Sequence, residues 1–250
     1  MQTVLLILGL GLMMLLVEKY LPGRNFPKRP YWLARASVFN LLQAGTVLLA
    51  SIAWNPILLG FNIVDLSHLP LLSASIIGYL TITFVFYWWH RARHESAFLW
   101  RFLHQIHHSP ARLEVLTSFY KHPLEILTNS VLSSFLLMSL LGLSPEAISI
   151  SILLTGIAEL FYHWNIKTPY WLGFIIQRPE SHCVHHKRGY HTNNYSDLPL
   201  WDMLFGTFEN PRTQVSDCGF TEKRELNLID LLFPKNNIKP VRELENETSP

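Results

Sequence analysis

Five stretches of the chain are almost free of charge: Met1–Val17, Val38–Trp54, Leu71–Trp89, Ile126–Leu143 and Ala147–Tyr162, the last broken only by Glu159. A bilayer-crossing helix needs about 20 apolar residues, so each run predicts a membrane helix. Met1–Val17 is short for a span, but it has neither the basic start nor the small-residue cleavage site of a signal peptide. The second run holds Asn40 and Gln43 and stops near Asn55-Pro56. The third ends in Tyr87-Trp88-Trp89, an aromatic edge suited to a membrane–water interface. Between the last two runs, Ser144-Pro145-Glu146 reads as a helix start: serine caps, proline fits the first turn and glutamate favours the positive dipole end. Trp171–Ile176 is too short to span and is expected at the interface or packed on the helices. From Lys235 onward the chain is polar without an apolar period, as in a mobile tail.

Crossing at all five runs sorts the charges. Segments 18–37, 90–125 and 163–250 fall on one side and hold all 20 Lys and Arg; the other side carries only Asp65 and Glu146. Cytoplasmic loops collect Lys and Arg, so the first group is assigned to the cytoplasm. Re-entrant hairpins would sort the charges equally well, so the side is fixed more firmly than the number of crossings.

Composition agrees. The apolar share is 49% and the charged share 15%, against about 25% charged in soluble domains. Two hundred and fifty residues suit one domain. A formal charge of +2 argues against a nucleic-acid binder. Cys183 and Cys218 form no CxxC, which argues against a disulfide framework or a cysteine zinc site. No phosphate-binding glycine motif is present.

Histidine is the unusual residue. Ten of twelve lie between His90 and His186. They form three clusters, His90-Arg-Ala-Arg-His94, His104-Gln-Ile-His107-His108 and His182-Cys-Val-His185-His186. On a helix, positions i, i+3 and i+4 share a face, so each cluster is expected to act as one small claw. Imidazole suits zinc, copper, iron or nickel. Eight imidazoles exceed one tetrahedral ion, which points to two ions close together. The charge sorting places all three clusters at one membrane surface; His68 falls on the other side and is excluded.

The order HRARH, HQIHH, HCVHH with a downstream NYSDLPLWDMLFGTF resembles the fatty acid hydroxylase / sterol desaturase superfamily of integral-membrane di-iron enzymes, over roughly residues 80–210. The resemblance implies two iron ions, dioxygen as co-substrate, and oxidation of an unactivated C–H bond of a fatty acyl chain, sterol or related lipid. Its metal ligands fall here on His90, His94, His104, His107, His108, His182, His185 and His186, with His163 of FYHWN as a ninth and Asn165 beside it. His122, in KHPLE, matches a His-Pro segment of bacterial members and is either a ligand or a helix cap. His191 is a candidate metal ligand, or else a residue behind the ligands or one facing substrate. Glu159, one turn before His163, is expected to orient that ring through its carboxylate. Glu95, Glu125 and Asp202 are candidates for similar work or ordinary charges, and Cys183 is a small packed residue.

The implied whole is an all-α integral-membrane bundle with a cytoplasmic histidine-rich di-metal cap, one domain over 1–234, and a tail over 235–250. The chain shows no fused cytochrome-like domain, so an external donor is expected, cytochrome b5-like or ferredoxin-like with a reductase. Arg91, Arg93, Arg101, Arg112 and Lys121 would attract it or anionic head groups, or simply follow the positive-inside bias. Hydroxylation is favoured over desaturation on the same site, and zinc is expected as a substitute in recombinant protein. A non-redox zinc enzyme would need fewer ligands and a carboxylate base, yet no HExxH is present. A metal carrier would place its ligands mid-bilayer, and a b-type cytochrome needs histidines within spans, where Leu71–Trp89 has none.

Overall fold

The computed structural model describes residues 2–234; the expected tail over 235–250 lies outside the described residues. Among the described residues the fold is all-helical, with one isolated bridge between Lys187 and Cys218. Five long helices organise it: α1 (Gln2–Tyr20), α2 (Trp32–Ala53), α3 (Leu71–Glu95), α4 (Pro123–Leu140) and α5 (Pro145–His163). By length and composition α2 to α5 can each cross a membrane. The N-terminal apolar run forms α1, of 19 residues.

The helix starts follow the local chemistry. Ser144 Oγ accepts the Ala147 amide at 3.3 Å, capping α5. His122 caps α4, its Nδ1 accepting the Leu124 amide at 3.1 Å. Asn40, which weakened the second run, has a local role: its Nδ2 donates to the carbonyls of Ala36 (2.8 Å) and Leu116 (2.9 Å), tying α2 to the 114–118 turn. The Trp171–Ile176 stretch falls on a 3-10 turn over Tyr170–Phe174 that leaves Trp171, Phe174 and Ile175 exposed.

At the end away from the histidines, Ala74, Ile82, Leu137, Met138, Leu143, Ala147 and Ile148 form a core of α3, α4 and α5. Gly78 sits where α3 crosses α5; a Cβ there would collide with Ser151 and Leu143. Small residues let apolar helices approach this closely. The opposite side of α3 meets the helix Pro199–Phe205, through Phe84 and Trp88 against Trp201 and Phe205, and is otherwise exposed among the described residues. Leu72, Ile76, Leu80, Phe84 and Trp88 recur every fourth residue and are all exposed, one continuous stripe along the helix. Such a stripe is costly in water and favourable in lipid.

A second core, Trp32, Ala36, Phe39, Trp100, Ile106, Tyr120, Phe220 and Leu231, stands at the other end. It roofs the segments that carry the histidine clusters. Helix α3 runs past its apolar run to include His90 and His94, and α5 ends on His163. The chain between α3 and α4 winds as a π turn over Trp100–His104, where the Gln105 amide donates to the Trp100 carbonyl, and then as a short helix Gln105–His108. Helices α6 (Pro179–His185) and α7 (Pro199–Phe205) complete the cap. Helix ends and short cap helices from five places in the chain therefore meet at one end of the bundle.

Candidate metal centre

Nine imidazoles gather there in two groups. His90, His94, His104, His108 and His185 form one, and His107, His163, His182 and His186 the other; in each group one ring nitrogen per residue lies within 4.8 Å of all the rest. The groups abut, with the rings of His108 and His186 stacked at 4.1 Å between centroids. His90 is half-buried and the other eight are buried.

The grouping cuts across the clusters. His104 and His108 belong to the first group, but His107 crosses to the second. His182 and His186 belong to the second, but His185 crosses to the first. The expectation that each HxxHH acts as one claw is corrected here. At about 100° per residue, i and i+4 differ by some 40° while i+3 points about 60° the other way. Each motif therefore straddles two centres, with its outer pair on one and its middle ring on the other.

Tautomers follow from the hydrogen-bond network. Nδ1–H donates to a main-chain carbonyl in four rings: His90 to Tyr195 (2.7 Å), His94 to His191 (2.7 Å), His185 to Asn193 (2.6 Å) and His163 to Glu159 (2.8 Å). His104 Nδ1 is held by the Glu125 carboxylate at 3.1 Å. A ring protonated at Nδ1 presents a bare lone pair at Nε2. Yet Nε2 of His90 lies 2.9 Å from that of His104 and 3.0 Å from that of His185, and His104 Nε2 lies 3.1 Å from His108 Nε2. In the second group His163 Nε2 is 3.1 Å from His182 Nε2 and 3.3 Å from His107 Nε2, and His182 and His186 face at 3.1 Å. Where both rings carry their proton on Nδ1, as His90 does with His104 and with His185, the facing lone pairs repel unless a cation lies between them. With metal–nitrogen bonds of about 2.1 Å, right-angled donors stand about 3.0 Å apart and tetrahedral ones about 3.4 Å. These spacings are of the size that donors sharing one ion show.

Burial, reinforced by neighbouring imidazoles, pushes His104, His107, His108, His182 and His186 well below the usual 6.5 and His191 down to about 3, while burial, opposed by the bond to the Asn193 carbonyl and reinforced by Arg93, brings His185 to about 3. Arg93 also contributes at His104, where it is the largest influence after burial. The rings are neutral at physiological pH, the form in which histidine binds metal.

The other expected residues lie around the groups. His122 is outside both: it caps α4 and its Nε2 donates to the Leu232 carbonyl at 3.1 Å. His191 is also outside; its Nδ1 lies 3.1 Å from His108 Nδ1 and its ring faces Trp100 and Phe220. Asn165 pins the 21–27 linker instead, exchanging bonds with the Arg24 backbone at 2.8 and 3.1 Å. Glu159 does orient His163, but through its main-chain carbonyl; its carboxylate is paired with Lys121. Glu125 is fully buried and pairs with Arg93 while holding His104. Glu95 makes only an exposed 2.7 Å pair with Arg91. Cys183 packs against Leu113 and Cys218. Two features were not anticipated. One is Trp100, buried against His94 and His108 at 5.0 Å each. The other is the run of acceptors on loop 191–195, hinted at only by Asn193-Asn194, residues tolerant of left-handed backbone.

The profile of the fatty acid hydroxylase family matches residues 75–207, just over half of the chain and all nine clustered histidines. The chain belongs to that family. Within it, the chain is 33% identical over 159 residues to an ornithine lipid hydroxylase of Rhizobium tropici, covering 62% of this chain and 47% of that protein. It is 27% identical over 169 residues to human alkylglycerol monooxygenase, covering 66% of this chain and 34% of that protein. A very-long-chain aldehyde decarbonylase of Oryza sativa subsp. japonica matches at 29% over 179 residues, covering 65% and 27%. The chain thus spans about half or less of the length of these fatty acid hydroxylase relatives. No solved structure matches it.

Proposed function

We propose that this protein is a membrane di-iron oxidoreductase that uses dioxygen to hydroxylate an unactivated C–H bond of a lipid. The observation that carries the proposal is the pair of imidazole groups at the buried end of the bundle whose Nε2 atoms converge at 2.9–3.3 Å. His90, His94, His104, His108 and His185 hold one iron, and His107, His163, His182 and His186 the other. The relatives named for ornithine lipid and alkylglycerol chemistry support a lipid substrate.

A lipid methylene offers no acidic proton and no leaving group, so acid–base or nucleophilic side chains have nothing to act on. Two irons supply the missing chemistry when bound: with two electrons and two protons, one oxygen atom enters the C–H bond and the other leaves as water. The chain's own residues do the rest. The carbonyls fix the tautomer and aim of His90, His94, His163 and His185, and Glu125 those of His104. Trp100 and the buried faces of α3 and α5 exclude water. The Lys and Arg sorting supports a cytoplasmic position for the cap, where a cytochrome b5-like or ferredoxin-like donor with its reductase would deliver electrons. Residues 1–234 form a single domain in this reading.

The test is metal analysis of the purified protein followed by oxygen uptake with candidate lipids. Two irons per chain, lipid-dependent uptake and an alcohol product are expected. An alkene product would reassign the protein to desaturation. Tightly held zinc with lipid hydrolysis and no oxygen uptake would overturn the reading.

A further inference from the structure

Three imidazoles of the five-histidine group lean on a single loop. The carbonyls of His191, Asn193 and Tyr195, at alternate positions, accept from Nδ1 of His94, His185 and His90 at 2.7, 2.6 and 2.7 Å. The loop achieves this with left-handed backbone at His191 (φ 40°), Asn193 (φ 63°) and Asn194 (φ 48°). Left-handed backbone is unfavourable for residues with a Cβ, most of all at His191. Strain of this kind persists only where the surroundings over-determine the conformation.

Two side chains supply that constraint. Asn194 is buried; its Oδ1 accepts the Glu209 amide at 2.7 Å, and its Nδ2 donates to the carbonyls of Ser181 and Glu209, both at 2.9 Å. Asp202, fully buried on the inner face of α7, accepts the amides of Tyr195 (2.8 Å) and Ser196 (3.0 Å) and the Thr207 hydroxyl (2.7 Å). Neither side chain makes a hydrogen bond to a histidine of either group. No ring of the four-histidine group donates to a carbonyl of this loop; its one carbonyl-held ring, His163, uses Glu159 of α5.

From these contacts we infer that Asn194 and Asp202 are positioning residues for the five-histidine group alone. They hold loop 191–195 in the winding that points its carbonyls at three rings. They thereby set that group's metal affinity separately from its neighbour's. The inference rests on the metal-centre reading above and adds to it an assignment of which site these two residues govern.

Cobalt(II) is a suitable probe, because imidazole sites bind it and its visible spectrum reports coordination. Full-length protein in lipid nanodiscs is titrated with cobalt, with bound metal and absorption both measured. Wild type is expected to take up two ions per chain. In Asp202→Ala and Asn194→Gly, affinity for one ion should fall about 10–100-fold while the other stays within about two-fold, the size of effect that indirect partners of metal ligands exert. Glycine at 194 keeps the left-handed conformation accessible, so a loss there reports the missing anchors. His185→Ala and His163→Ala provide reference patterns for damage to the five- and four-histidine groups. Both variants should resemble His185→Ala. Asp202→Asn keeps one acceptor oxygen and should fall between wild type and Asp202→Ala, which preserves the test if alanine prevents folding. Parallel weakening of both ions would reduce the two residues to general structural supports and overturn the inference, as would wild-type binding in both variants. A wild-type chain that takes up no cobalt would instead overturn the metal-centre reading, and this inference with it.

Discussion

The two histidine groups are built from the same residue type, yet their surroundings differ. In the five-histidine group, three rings are braced by one loop, His104 by Glu125, and His108 faces His191. In the four-histidine group only His163 is braced; Nδ1 of His107, His182 and His186 makes no hydrogen bond among the described residues. One group is preorganised before a ligand arrives. The other has four rings rather than five, three of them without such a brace.

The sharpest way to break this comparison is His107→Ala. It removes one of four donors from the less braced group, and hydroxylation should fall more than about 100-fold, beyond the effect of indirect partners. Membrane insertion, followed by fractionation, should be unchanged. Full turnover in this variant would exclude His107 as a ligand. Next comes Glu125→Gln. It leaves Arg93 buried without its counter-charge, a change that costs about 3–5 kcal/mol where both partners are buried. Thermal unfolding should report this loss, and metal analysis should show the five-histidine site emptying first. Equal loss from both sites would erase the distinction drawn above. The smallest effect belongs to Glu95→Ala, which breaks a largely exposed pair with Arg91 worth no more than about 0.5 kcal/mol; metal content and turnover should stay at wild-type levels.

How much of this was legible in the chain depends on where the information resides. The apolar runs mapped onto the long helices because burial in lipid requires uninterrupted apolar sequence. The histidines stood out because helical spacing brings i, i+3 and i+4 together. What the spacing concealed was the division within each HxxHH. A shared face is a coarse description, and the 100° between His107 and His108 decides which centre each ring serves. Glu159 was assigned to the right ring through the wrong atom, since Lys121, distant in sequence, captures its carboxylate. His122 and Asn165 sit near the centre and bind backbone instead. The acceptor loop was invisible because a carbonyl has no letter of its own.

That last point shapes how the site yields to mutagenesis. Four of the nine rings rest on main-chain oxygens, and every amino acid brings one. Alanine scanning through 191–195 would measure how stiff the loop is while leaving the acceptors themselves untouched. Residues there other than Asn194 can be exchanged with little penalty so long as the curl survives, and the positions that register damage will be Asn194 itself and the more distant clamp, Asp202.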